Sequence, residues 1–295
     1  MNESDFKHQA EIIRSDIEHK LTACGMLCRV FSRGKGHGSL STKLNSLSDD
    51  GKSLKYSKVG KLLQDAIGVR VFLYFSDDIS IARNILCAAY NYRDESSAVD
   101  VPKSEEFSVT RYNLVFDMPE RYLDEMERVI SNRAIDSTFE TQIRSVLSEG
   151  WHEVEHDLRY KQKEHWQGSD DLSRALNGIV ATLETSEWGM RKIFDDLAYR
   201  QYKCKNWAAM LNLKFRMRVA STLDDKLVKI FNADSEVAKK FLRLDRSKVF
   251  MAYAEKFFSI PLTLTNVVFI LNAISEVSSD ITEITPDRIL KIRNS

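Results

Sequence analysis

Asp65 and Glu140 lie seventy-five residues apart, each beside a short apolar run that also carries an arginine. Asp65 leads into Ala66-Ile67-Gly68-Val69-Arg70-Val71-Phe72-Leu73, and Glu140 sits within Thr138-Phe139-Glu140-Thr141-Gln142-Ile143-Arg144. At strand spacing, Glu140, Gln142 and Arg144 share one face while Phe139, Thr141 and Ile143 share the other. A face bearing an acid, an amide and a cation suits the holding of a metal and a phosphate. Magnesium is usually bound through one or two carboxylates plus substrate phosphates, so two acids brought together in one sheet answer its needs. The same residues also allow a plainer arrangement, in which the two acids pair with Arg70 and Arg144 at strand ends.

A second cluster precedes these. Arg33, Lys35, Ser39 and Lys43 are all phosphate ligands by type, and Gly34, Gly36 and Gly38 among them let the backbone approach an anion. Ser39, placed near a helix start, adds exposed N–H groups and the favourable end of the helix dipole. The segment is not a Walker A sequence, and a flexible basic surface loop is the alternative. Further on, His152-Glu153-Val154-Glu155-His156 has the two-histidine spacing of a zinc-protease helix but no convincing third ligand. Cys24 and Cys28 have no second Cys/His pair at zinc spacing and read as buried thiols.

The elements that must position these groups follow from periodicity. Residues 4 to 31 carry apolar positions at helical spacing, and 32 to 41 read as a loop running into a helix that starts at Ser39 or Ser41. Strands are expected at 67–75, 107–117 and 138–145, a helix at 78–92, and helix from Val146 onward, with Trp151, Val154 and Leu158 as an apolar stripe. This predicts an α/β (α+β) domain over residues 1–200, a mixed β-sheet flanked by helices, with a helical C-terminal extension over 201–295. The 295 residues can bury a substantial core. Four prolines and eleven glycines favour long helices over linkers, and 43 basic against 43 acidic residues argue against a generally cationic nucleic-acid binder. No apolar run approaches the roughly 20 residues of a membrane span, Met1 to Lys20 lacks the apolar core of a signal peptide, and the scattered cysteines fit a reducing cytoplasm.

Taken in order, Ser32-Arg33-x-Lys35-x-x-x-Ser39-x-x-x-Lys43, Asp65-x-x-Gly68-x-Arg70, Glu140-x-Gln142-x-Arg144 and Trp151-x-x-x-Glu155-His156-x-x-x-Tyr160-Lys161 resemble the synthetase domain of the RelA/SpoT alarmone synthetases, most of all the small single-domain forms and their toxin-like relatives. The resemblance covers roughly residues 5 to 200. It implies a nucleotidyltransferase-like fold and transfer of a pyrophosphoryl group from ATP to the ribose 3′-hydroxyl of a guanine nucleotide, the chemistry of (p)ppGpp metabolism. Arg33, Lys35, Ser39 and Lys43 would hold ATP, with Arg33 near the adenine. Asp65 would bind Mg2+, and Glu140 would share the metal or take the proton of the attacking hydroxyl. Gln142 and Arg144 would position the acceptor.

One strand departs from the family pattern. Where the family carries a base-stacking tyrosine and, four residues on, a histidine, this chain has Phe107 and Arg111. Phenylalanine can still stack on a base, but the acceptor side is altered. The resemblance therefore admits the tRNA 3′ end as acceptor, as in toxin-type relatives, or a catalytically weak nucleotide-sensing module. A homo-oligomer and a protein antitoxin or regulator are partners it leaves open. Beyond residue 200, Lys203, Lys205, Lys214, Arg216 and Arg218 alternate with Tyr202, Trp207 and Phe215, a pattern that fits either RNA contact or a solvated basic helix face.

Overall fold

The computed structural model describes residues 3–48, 51–100, 111–130, 133–220 and 222–294. The chain divides into two compact units, Met1–Glu18 with Cys28–Glu184, and His19–Leu27 with Thr185–Ser295.

The first unit is built on a five-stranded mixed sheet. Its strands are β1 (Cys28–Gly34), β2 (Ile67–Leu73), β3 (Ala98–Asp100), β4 (Arg111–Asp117) and β5 (Thr138–Ser145), in the spatial order β1-β2-β5-β4-β3. Only β2 and β5 run parallel; the other neighbours are antiparallel. Helices α2 (His37–Leu44), α3 (Asp78–Ala89), α4 (Glu120–Ile130) and α5 (Val146–Glu155) belong to this unit, while α1 (Glu3–Ala23) and α6 (Asp170–Lys203) each begin in it and end in the second. The residue-200 boundary read from the sequence falls inside α6.

Alternation decides which way the sheet faces. Ile67, Val69, Val71 and Leu73 of β2 are buried, as are Phe139, Thr141 and Ile143 of β5. This apolar face includes a ring cluster in which Tyr90 and Phe116 lie 5.2 and 5.4 Å from Phe139, centroid to centroid. Tyr90 anchors there in extended conformation, which ends α3 at Ala89, three residues before the end expected from periodicity.

The first strand departs from the expected helix over 4–31 and loop over 32–41. Gly25, at φ +79°, stops α1 in the left-handed conformation that glycine tolerates without strain. The chain then alternates, with Cys28 and Val30 buried and Arg29 and Phe31 exposed, and pairs antiparallel with β2. Helix α2 begins at His37, so Ser39 lies within its first turn.

Gly34 faces the same side as Ile67, where α1 passes closely. A β-carbon there would sit 2.7 Å from Lys7 N and 2.8 Å from Lys7 Cα and Phe6 C, all backbone atoms with nowhere to go. This glycine therefore serves a close approach of two backbones; the anion reading does not account for it. Gly34→Ala should cost about 1–3 kcal/mol by forcing α1 outward, read as a lower melting temperature. Unchanged melting would show that α1 is not held there.

The second unit is helical, with α7 (Trp207–Phe215), α8 (Asp225–Ala233), α9 (Ser235–Arg243), α10 (Ser247–Ala252), α11 (Leu264–Ser275), α12 (Ser279–Ile284) and α13 (Asp287–Asn294). Its core includes a chain of rings, Tyr202–Trp207–Phe231–Phe241, with centroids 6.0, 5.9 and 5.6 Å apart. Tyr202, Trp207 and Phe215 are buried here, so the rings expected beside the basic residues are core and not base-stacking platforms. Among the described residues, no helix is long and apolar enough to cross a membrane.

Candidate active site

The side of the sheet opposite the ring cluster carries the polar groups, and strand register sets them in rows. Arg33, Gly68, Glu140 and Val115 form one row across β1, β2, β5 and β4; Phe31, Arg70, Gln142 and Asn113 form the next. Arg111 lies two residues before Asn113, hence on the same face as Arg144, Gln142 and Glu140, and forms a 3.8 Å ion pair with Asp100 of β3. Phe107 lies outside the described residues.

Asp65 stands just before β2, and three contacts hold it at the edge of this face. Leu63 bridges in parallel to Ile135, Thr138 Oγ1 donates to Gln64 O at 3.1 Å, and Lys35 N donates to Ala66 O at 3.1 Å. The last contact ties the β1–α2 corner to the residue after Asp65. As a result the ammonium groups of Lys35 and Lys43, the latter in the last turn of α2, both meet Asp65 Oδ2.

A cavity of about 190 Å³ opens beside this contact, lined by Arg33, Lys35, Lys43, Asp65, Arg70, Glu140 and Gln142, with Gly68 leaving its floor bare. That is smaller than the roughly 300 Å³ at which sites for whole small molecules begin. It suits a phosphate chain, with the rest of any nucleotide spread over the open sheet. Ser39 is exposed and does not line the cavity; Arg111 and Arg144 lie further along the same face.

These charges shift one another. Burial alone would raise the Asp65 carboxyl, but hydrogen bonds from Lys35 and Lys43 outweigh it and hold the pKa below its usual value. Burial, only partly offset by Asp65, brings Lys35 down to about 8. Glu140 goes the other way: burial and then the negative charge of Asp65 raise its pKa, against weaker opposition from Lys35 and from Gln142, whose Nε2 donates to Glu140 Oε2 at 3.2 Å. Two neighbouring carboxyls with opposite shifts are suited to different tasks, one to hold a cation and one to take a proton.

The plainer pairing of Asp65 and Glu140 with Arg70 and Arg144 is not what forms. Helix α5 takes both arginines instead. Arg70 donates to Glu149 at 3.2 Å and to Glu153 at 2.7 Å, and Arg144 donates to Glu149. Glu149 and Glu153 stand one turn apart on the helix that directly follows β5, a signal visible in the sequence but not taken up there. Of the expected stripe on this stretch, Trp151 is held by its indole N–H, which donates to Leu176 O at 3.0 Å, while Val154 and Leu158 are exposed. His152 is brought down to about 4 by burial and then by Arg144 and Arg111, so it is neutral at pH 7.

The donor set fits magnesium. Asp65 Oδ1 is buried and has no hydrogen-bond partner among the described residues, and Glu140 lines the same cavity. No group of three or more His, Cys, Asp or Glu side chains among the described residues could complete a protein cage. A hard cation here would draw its remaining oxygens from phosphate and water.

Residues 32–165 match the family model described as a region found in RelA / SpoT proteins. Among solved structures, the chain is similar to the small alarmone synthetase 1 from Bacillus subtilis, at 20% identity over 64% of this chain and 92% of that one, with a TM-score of 0.47. It is also similar to a GTP pyrophosphokinase family protein from Streptococcus pneumoniae, at 19% identity over 67% and 93%, TM-score 0.44. A third is the Bacillus subtilis small alarmone synthetase 1 bound to AMPCPP, at 19% identity over 64% and 91%, TM-score 0.44. No curated protein matches the chain.

Proposed function

With residues 32–165 a RelA/SpoT-type region, we propose that the chain transfers pyrophosphate from ATP to the ribose 3′-hydroxyl of a guanine nucleotide. The observation that carries this reading is the convergence of Lys35 and Lys43 on Asp65, beside Glu140, in a cavity the size of a phosphate chain. In this reading the acceptor 3′-oxygen bonds to the β-phosphorus of ATP, the bond from that phosphorus to the α-phosphate oxygen breaks, and AMP leaves.

Such a transfer needs alignment and charge neutralisation more than covalent help. Lys35, Lys43 and Arg33 would hold the donor phosphates, and Arg70, fixed by Glu149 and Glu153, would present a guanidinium that cannot swing away. Glu140, with its raised pKa, would take the proton of the attacking hydroxyl. Magnesium held by Asp65 would withdraw charge from the phosphates. Gln142, Arg144 and Arg111, further along the face, would orient the acceptor.

The test is incubation with ATP labelled in its γ-phosphate and a panel of GDP, GTP and tRNA. Label in GDP or GTP is expected. Label in tRNA alone would move the acceptor to RNA, and no labelled product would remove the activity. Within this reading, Lys35→Ala and Arg33→Ala should raise the KM for ATP roughly ten- to hundredfold, the worth of one charge-assisted contact at about 1.5–3 kcal/mol. The acceptor KM should move less; equal losses on both substrates would argue against a donor site at β1.

A further inference from the structure

We propose that Lys35 and Lys43 form a clamp that closes Asp65 to a divalent cation until the donor's phosphate chain draws the two ammonium groups away. The inference rests on the donor-site reading above and concerns how that site is regulated. Metal and nucleotide would then load together, and metal alone would bind weakly.

The geometry argues for it in three steps. First, both ammonium groups meet the same oxygen, Asp65 Oδ2, so the carboxylate already faces two positive charges. A dication approaching the buried Oδ1 would meet both at close range, in a cavity where screening by water is reduced. Second, the two other cations lining the cavity, Arg33 and Arg70, form no ion pair with Asp65 among the described residues. The Arg70 guanidinium is held by Glu149 and Glu153 from α5. The occupancy of Asp65 therefore belongs to the lysines. Third, both lysines can let go without a backbone change. Each carries its charge on a flexible four-carbon stem, and Lys43 is 40% exposed. A triphosphate in the adjoining cavity offers more negative charge than one carboxylate, so both ammonium groups would move toward it. That movement would free Asp65 as it assembles the donor site.

The probe is Mn2+ titrated into the full chain without nucleotide, with free Mn2+ followed by its paramagnetic resonance signal. Wild type should bind it weakly. Lys35→Met with Lys43→Met should bind Mn2+ roughly tenfold or more tightly, while losing affinity for an α,β-methylene analogue of ATP. Adding Asp65→Asn to the double variant should remove the gain. Lys43→Met alone, at the more exposed lysine, should show part of the gain and decides the matter if the double variant melts early. Equal Mn2+ affinity in wild type and Lys43→Met, or a gain that survives Asp65→Asn, would overturn the clamp. The donor-site reading fails on a different result: no binding of the ATP analogue to wild type in the presence of Mn2+.

Discussion

Asp65→Asn and Glu140→Gln should each lower turnover by about a thousandfold or more, roughly 4 kcal/mol of transition-state stabilisation, while moving stability in opposite directions. Both carboxyls line the cavity proposed to hold the donor phosphates, so activity should fall in both. Stability separates them because their surroundings differ. Asp65 has its pKa held down, so its ionised form stabilises the fold at neutral pH, and that contribution is lost as pH falls through the folded-state pKa. Asparagine there leaves two ammonium groups facing an amide, at a cost of about 1–3 kcal/mol once the screening of half-exposed Lys43 is allowed for. Glu140 has its pKa raised by burial and by Asp65. Its ionised form is therefore a burden at neutral pH, one that disappears as pH falls toward the ordinary glutamate value. Glutamine removes that burden, and Glu140→Gln should melt at or above the wild-type temperature. Wild-type turnover in Asp65→Asn would mean the chemistry is misassigned. A marked loss of stability in Glu140→Gln would mean the carboxylate is structurally paired in a way its surroundings do not suggest.

The second large effect is expected at Glu149, which does no chemistry. It is 5% exposed and receives hydrogen bonds from Arg70 and from Arg144, the latter 3% exposed. Glu149→Ala leaves Arg144 buried without its counter-charge, the situation in which removing one partner is most costly, about 3–5 kcal/mol. The melting temperature should fall on the order of 10 °C. Glu153→Ala, at the exposed end of the same network, should cost no more than about 1 kcal/mol. Acceptor use should suffer in Glu149→Ala even where the fold survives, because Arg144 loses its orientation. If Glu149→Ala and Glu153→Ala melted alike, the buried pair would not be what braces β2 and β5 to α5.

The residues by themselves determined the two faces of β2 and β5. Side-chain alternation is a local property with a period of two, and a strand buried on one side writes it directly into the chain. For the same reason Glu140, Gln142 and Arg144 could be placed on one face with no knowledge of their neighbours, and Asp65 and Lys35 could be singled out by type. What the charges pair with was decided only by the tertiary structure. Asp65 meets two lysines because Lys35 N is tied to Ala66 O and Lys43 stands in the last turn of α2, and Arg70 and Arg144 turn to α5 because Glu149 is buried between them. The first strand was hidden for a related reason. Seven residues after a 21-residue helix carry too few alternations to outweigh the helical pattern before them, and what makes them a strand is pairing with β2 across some forty residues of chain. Choice of partner is a free-energy difference among distant groups, and it appears only when the sheet brings them into register.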